Sequence, residues 1–76
     1  METAVTQPDT ITIRLNGEDR TVSSGLTVTR LLESLGLRPE LVVVEKNREI
    51  LARDRYGQAA VEDEDVFELV HFVGGG

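Results

Sequence analysis

Three glycines, Gly74-Gly75-Gly76, close the sequence directly after the apolar run Val66–Val73. A ribbon without side chains suits a narrow active site in which any Cβ would clash, and it reaches backbone angles closed to other residues. At its end stands the carboxylate of Gly76. A carboxylate resists nucleophiles until one oxygen becomes a leaving group. Adenylation by ATP achieves that, and the acyl-adenylate can then pass to sulfur or nitrogen. The other candidates for chemistry are poorer. His71 is the sole histidine, and no Ser or carboxylate stands at a spacing that makes a recognisable dyad with it, so it reads as a strand residue near the tail. Glu62-Asp63-Glu64-Asp65 lacks the alternating ligands and the glycine of a calcium loop and reads as a solvated turn, or as charge facing a basic partner. Arg48, Arg53 and Arg55 form a small basic cluster expected to pair with nearby carboxylates. With no cysteine there is no disulfide framework, no thiolate-held metal and no thiol nucleophile. Neither a catalytic residue nor a metal site is expected.

Fourteen acidic against eight basic side chains give a formal charge of −6. Such a surface repels phosphate backbones and anionic lipid, which argues against nucleic acid and membrane as partners. No apolar stretch approaches the roughly 20 residues of a membrane span. The N-terminus lacks the basic-then-apolar order of a signal peptide, so a cytoplasmic address is expected. Seventy-six residues with few aromatics make one small domain with an aliphatic core and little room for a deep cleft, as befits a binding or carrier module.

The elements that must position the tail are legible from pattern. Residues 1–9 show no periodicity and are expected to form a flexible leader; residues 10–73 form the domain and 74–76 the flexible tail. Ile11, Ile13 and Leu15 alternate with polar residues as in a half-buried strand. Asn16-Gly17 then signals a two-residue hairpin turn, with a return strand over Arg20–Ser23. Thr27 is a candidate helix N-cap, with Leu26 and Leu31 available as a hydrophobic staple. Val28, Leu31, Leu32 and Leu35 make one apolar stripe, and Gly36 with Leu37 supplies a Schellman ending before Pro39. Leu41–Val44 reads as an inner strand, 45–48 as a turn, Glu49–Leu51 as a short edge strand, and Arg53–Gly57 as a helical turn anchored by Tyr56. Val66–Val73 is the last strand.

One helix covers one face of a sheet. The economical arrangement is α+β: a mixed four- to five-stranded sheet curled on a single helix, the β-grasp (ubiquitin-like) architecture. In the last strand Phe67 and Leu69 share one parity and Val66, Glu68, Val70 and Phe72 the other. With the first pair on the helix, Val70 and Phe72 project beside Glu68 from the open face, and exposed apolar groups on so small a domain suggest partner docking. The competing arrangement folds the loop Ala52–Val61 over them.

The stretch Val44-Glu45-Lys46-Asn47-Arg48-Glu49-Ile50, then Arg53 and Tyr56, then Asp65 through Gly76, resembles the ThiS family of ubiquitin-like sulfur carriers of thiamine biosynthesis. Leu15-Asn16-Gly17-Glu18 and Gly25-Leu26-Thr27-Val28 with Leu31-Leu32 fit it too, and the likeness covers Thr10–Gly76. Departures are the N-terminal segment and Tyr56, where many members carry Trp. The resemblance implies a protein that is not an enzyme and binds no cofactor itself. A ThiF-type adenylating enzyme using ATP and magnesium would activate Gly76. Sulfur from a cysteine desulfurase route would convert it to a thiocarboxylate, and the thiazole synthase ThiG would consume that sulfur. Gly74 and Gly75 would give reach, with Val70, Phe72 and Glu68 docking and the free carrier a monomer. The absence of cysteine agrees, since it leaves no side chain for a persulfide. Alternatives are a carrier for molybdopterin, amino-acid or tRNA thiolation, or a ubiquitin-like protein modifier.

Overall fold

The hairpin that opens the domain is built around two backbone conformations few residues tolerate. Asn16 and Gly17 have φ of 50° and 85°, the left-handed pair that a two-residue turn needs to match strand twist. Pairing therefore resumes at once. In the computed structural model, which describes residues 8–72, β1 (Thr10–Leu15) and β2 (Glu18–Ser23) run in register from Leu15↔Glu18 to Thr10↔Ser23. The return strand thus starts two residues before the expected Arg20. Pro8 and Asp9 are held by Ser24, whose N–H donates to the Asp9 carbonyl at 2.9 Å and whose hydroxyl donates to the Pro8 carbonyl. The remainder of the expected leader, residues 1–7, lies outside the described residues.

Helix α1 (Val28–Ser34) has the expected ends. The Thr27 hydroxyl oxygen accepts the Arg30 N–H at 3.3 Å. Gly36, with φ 77°, donates to the Glu33 carbonyl at 3.0 Å, and Leu37 to that of Leu32 at 2.9 Å. That pair of bonds is the Schellman ending. The first-turn N–H groups have a second source of partners that local pattern does not reveal: Val28 donates to the Ala59 carbonyl and Thr29 to that of Tyr56. The loop from 52 to 61 thus closes over the helix start, where backbone donors are otherwise orphaned.

After a 3₁₀ turn at Pro39–Leu41 comes β3 (Val42–Lys46), then β4 (Glu49–Leu51), a 3₁₀ turn at Arg53–Arg55, and β5 (Val66–His71). Pro39 presets the tight turn, so Leu41 lies before the strand instead of in it. At the other end β3 runs on to Lys46, and the expected four-residue turn contracts to Asn47-Arg48, both with positive φ.

The five strands lie in the order β2-β1-β5-β3-β4. β5, last in sequence, sits in the middle, parallel to β1 and antiparallel to β3. Helix α1 covers one face. Val28, Leu31 and Leu32 from the helix meet Ile13, Val42, Val44 and Phe67 from the sheet, with Tyr56 and Val61 sealing the margin. Leu35, expected in the same stripe, is only half-buried. The arrangement is the β-grasp architecture, α+β with a mixed sheet. Among the described residues, no helix is long and apolar enough to cross a membrane.

Candidate functional site

Strand β5 presents two unlike faces. Its residues alternate across the sheet: Phe67 is fully buried beneath the helix and Leu69 half-buried, while Val66, Glu68, Val70 and Phe72 are exposed. The loop 52–61 does not fold over them. It packs on the helical side through Tyr56 and Val61, leaving Val70 56% and Phe72 54% exposed. The cross-strand register adds residues that sequence pattern alone did not bring to this face. Val43 stands opposite Val70, Glu45 opposite Glu68, and Ile50 opposite Glu45 on the far side. Ile50 is 68% exposed. Ile50, Val66, Val70 and Phe72, the large apolar side chains most exposed among the described residues, therefore share the face away from the helix. The signal for Ile50 was present in the two-residue turn at Asn47-Arg48, which fixes the Glu45↔Ile50 pairing.

Two carboxylates facing each other in a ladder are normally unfavourable. Here Glu45 and Glu68 form such a pair within the apolar set. The face thus offers negative charge ringed by hydrocarbon.

The end of β5 is the root from which the glycine segment departs in sequence. Phe72 donates its N–H to the Leu41 carbonyl at 2.8 Å, and His71 pairs with Val42. The Val42 carbonyl accepts the buried Tyr56 hydroxyl at 2.7 Å and an Arg53 guanidinium N–H at 3.5 Å. In the turn that presents Leu41, Glu40 is held below the usual carboxylate range by hydrogen bonding to its own backbone and by Arg38, 2.9 Å away. On the opposite flank the Asn16 side chain reaches Leu69. Gly74, Gly75 and Gly76 lie outside the described residues.

The other singled-out residues separate. His71 is an exposed strand residue. The acidic turn is not uniformly solvated, because Asp65 is only 6% exposed. Its carboxylate accepts the Asn47 side-chain amide at 3.0 Å and the Glu62 N–H at 2.8 Å, with Lys46 Nζ at 3.5 Å. Arg48, Arg53 and Arg55 form no ion pair among the described residues; the carboxylates expected to meet them are taken by Lys46 and Arg38 or point elsewhere. Among the described residues no three His, Asp or Glu side chains group to hold a metal ion. An open depression of about 540 Å³ beside β4, edged by Lys46, Glu49, Ile50 and Glu62, brings no nucleophile to a base.

Comparison with known proteins agrees with this geometry. The model of the ThiS family matches residues 13–76. The sulfur carrier protein ThiS of Bacillus subtilis is 43% identical over 65 residues, 84% of this chain and 98% of that protein. A thiazole synthase of Magnetococcus marinus is 44% identical over 64 residues, and one of Paramagnetospirillum magneticum 47% over 62. The chain spans only about a fifth of the length of these two (20% and 19%). The crystal structure of a thiamine biosynthesis protein, ThiS of Geobacter metallireducens, superposes with a TM-score of 0.73 at 38% identity, covering 87% of this chain and all of that one. On the family match, the nearly full-length Bacillus relative and the shared fold, this chain belongs to the ThiS family.

Proposed function

We propose that the chain is a sulfur carrier of thiamine biosynthesis, a cytoplasmic protein that is a substrate of other enzymes and not itself a catalyst. The observation that carries this reading is the arrangement around β5: its exposed apolar residues share one open face, and the same strand leads in sequence to Gly74-Gly75-Gly76. A relative named as a sulfur carrier over almost its whole length supports the same role.

In the proposed cycle a ThiF-type adenylating enzyme docks on Val70, Phe72 and Glu68, joined by Ile50, Val66 and Glu45. The Gly76 carboxylate oxygen attacks the α-phosphorus of magnesium-bound ATP held by that enzyme, and pyrophosphate leaves. A sulfur nucleophile at the sulfide level, supplied through a cysteine desulfurase route, then attacks the acyl carbon. AMP departs with the former carboxylate oxygen, and a proton is released as the thiocarboxylate forms. This chain's own part is to hold the face rigid and to present an end without side chains. With no cysteine, the chain has no side chain that could carry a persulfide instead. Thiazole synthase is the proposed acceptor, and its support is that two thiazole synthases contain a stretch 44% and 47% identical to this chain.

The test is intact mass spectrometry after incubation with the adenylating enzyme, ATP and a sulfur source. The expected product is heavier by the difference between sulfur and oxygen, and the gain maps to Gly76. AMP release with no gain in mass overturns the thiocarboxylate. A thiocarboxylate that thiazole synthase fails to consume overturns the thiamine assignment and leaves a carrier for another acceptor.

A further inference from the structure

Strand β5 is held differently on its two flanks. Towards β3 the ladder is backbone throughout, with Val43↔Val70, Val42↔His71 and the Phe72 N–H on the Leu41 carbonyl. Towards β1 the ladder stops early. Arg14 pairs with Val66 and Leu15 with Phe67, and then Asn16, at φ 50°, turns the chain away into β2. The parallel partner strand ends while β5 still has residues to run.

Asn16 fills the gap with its side chain. Its own N–H donates to the Phe67 carbonyl at 2.9 Å. Its Oδ1 accepts the Leu69 N–H at 2.7 Å, and its Nδ2 donates to the Leu69 carbonyl at 3.4 Å. A primary amide is the same hydrogen-bonding group as a peptide, so Asn16 supplies the peptide that β1 would have supplied had it continued. Asn47 does the same at the other end of β5, on the other flank: its N–H donates to the Val66 carbonyl at 2.7 Å and its Oδ1 accepts the Val66 N–H at 2.9 Å. Both asparagines occupy left-handed turn positions, where Asn is tolerated and Gly more so. The two latches grip opposite ends of the strand. Asn47 holds the beginning of β5. Asn16 holds Leu69, the last residue bonded on that flank among the described residues, seven residues before Gly76.

We propose that Asn16 is a positioning residue for the reaction at Gly76: its side-chain amide, paired with Leu69, fixes the direction in which β5 delivers the C-terminal residues to the adenylating enzyme. The inference rests on the carrier function proposed above. Seven residues extend at most about 25 Å, so a small change of direction at Leu69 becomes a displacement of ångströms at the reacting carboxylate. Displacements of that size cost rate more than they cost binding, because the docking face lies elsewhere on the domain.

The discriminating experiment compares wild type, N16G, N16D and N47G in ATP–pyrophosphate exchange catalysed by the ThiF-type enzyme, with thermal unfolding and Leu69 amide exchange measured on each. Glycine preserves both turns and removes only the side-chain latch. N16G is expected to lose protection at Leu69 and to lower kcat about tenfold, with KM for the carrier within about twofold of wild type. N16D keeps the acceptor for the Leu69 N–H and is expected to recover most of the rate. N47G is expected to unfold at lower temperature yet exchange like wild type. Exchange by wild type with N16G and N47G equally affected in proportion to their stability overturns the positioning role and leaves the carrier function standing. No exchange by wild type overturns the carrier function and this inference with it.

Discussion

At the scale of single residues, the polar groups with most influence on the fold are those that hold β5 to its neighbours. Asp65 is the clearest. It sits at the end of a run of four acidic residues, and a run of that kind normally stays in water. It is buried because three donors converge on it: the Asn47 amide, the Glu62 N–H and the Lys46 ammonium. No local period distinguishes it from Asp63, which is exposed and accepts the Thr12 N–H at 2.9 Å. The same limit explains the arginines. Their number and spacing were legible, but their partners depend on which loops meet in space. Asp65→Ala leaves Glu62 N–H and the Asn47 amide without acceptors in a site that excludes water, and is expected to cost about 2–3 kcal/mol. Asp63→Ala, removing an exposed bond, is expected to cost no more than about 1 kcal/mol. Urea unfolding of the two variants checks this, and equal losses would contradict the burial of Asp65.

At the scale of elements, the two faces of β5 ask different things of adjacent residues. Asn16-Gly17, the Thr27 cap, the Gly36-Leu37 ending and the parity of Phe67 and Leu69 were all legible, since each is written within a few neighbouring residues. Two things were not. The placing of β5 between β1 and β3, and the arrival of Ile50 and Glu45 on the open face, depend on pairing between strands far apart in sequence. The contrast of faces gives a paired expectation. Phe67→Ala opens a cavity under the helix and is expected to cost about 3–5 kcal/mol. A domain of this size commands only about 4–11 kcal/mol, so much of the variant unfolds near its working temperature. Phe72→Asp sits across the sheet, 54% exposed, and is expected to leave the unfolding transition within about 0.5 kcal/mol of wild type. It should nonetheless weaken binding to the adenylating enzyme by about 2 kcal/mol, the size of an interface hot spot. Thermal unfolding beside titration calorimetry separates the two. Unchanged binding by Phe72→Asp would remove that residue from the docking face.

At the scale of the whole molecule, a net charge of −6 and the Glu45–Glu68 pair among exposed hydrocarbon act at different ranges. The overall charge attracts a basic partner from a distance, and its reach follows the Debye length, about 10 Å at 0.1 M salt and about 3 Å at 1 M. The pair acts only on contact, where a cationic side chain of the partner would relieve the opposition of two carboxylates. Long-range attraction governs how fast partners meet; desolvated contacts govern how slowly they part. Raising salt from 0.1 to 1 M is therefore expected to slow association with the adenylating enzyme about tenfold or more, with little change in dissociation. Glu68→Gln is expected to do the reverse, speeding dissociation while keeping most of the salt dependence, because five of the six net negative charges remain. Stopped-flow or surface-binding kinetics resolve the two rates. Association indifferent to salt would mean that the acidic balance keeps the protein soluble but does not guide it to its partner.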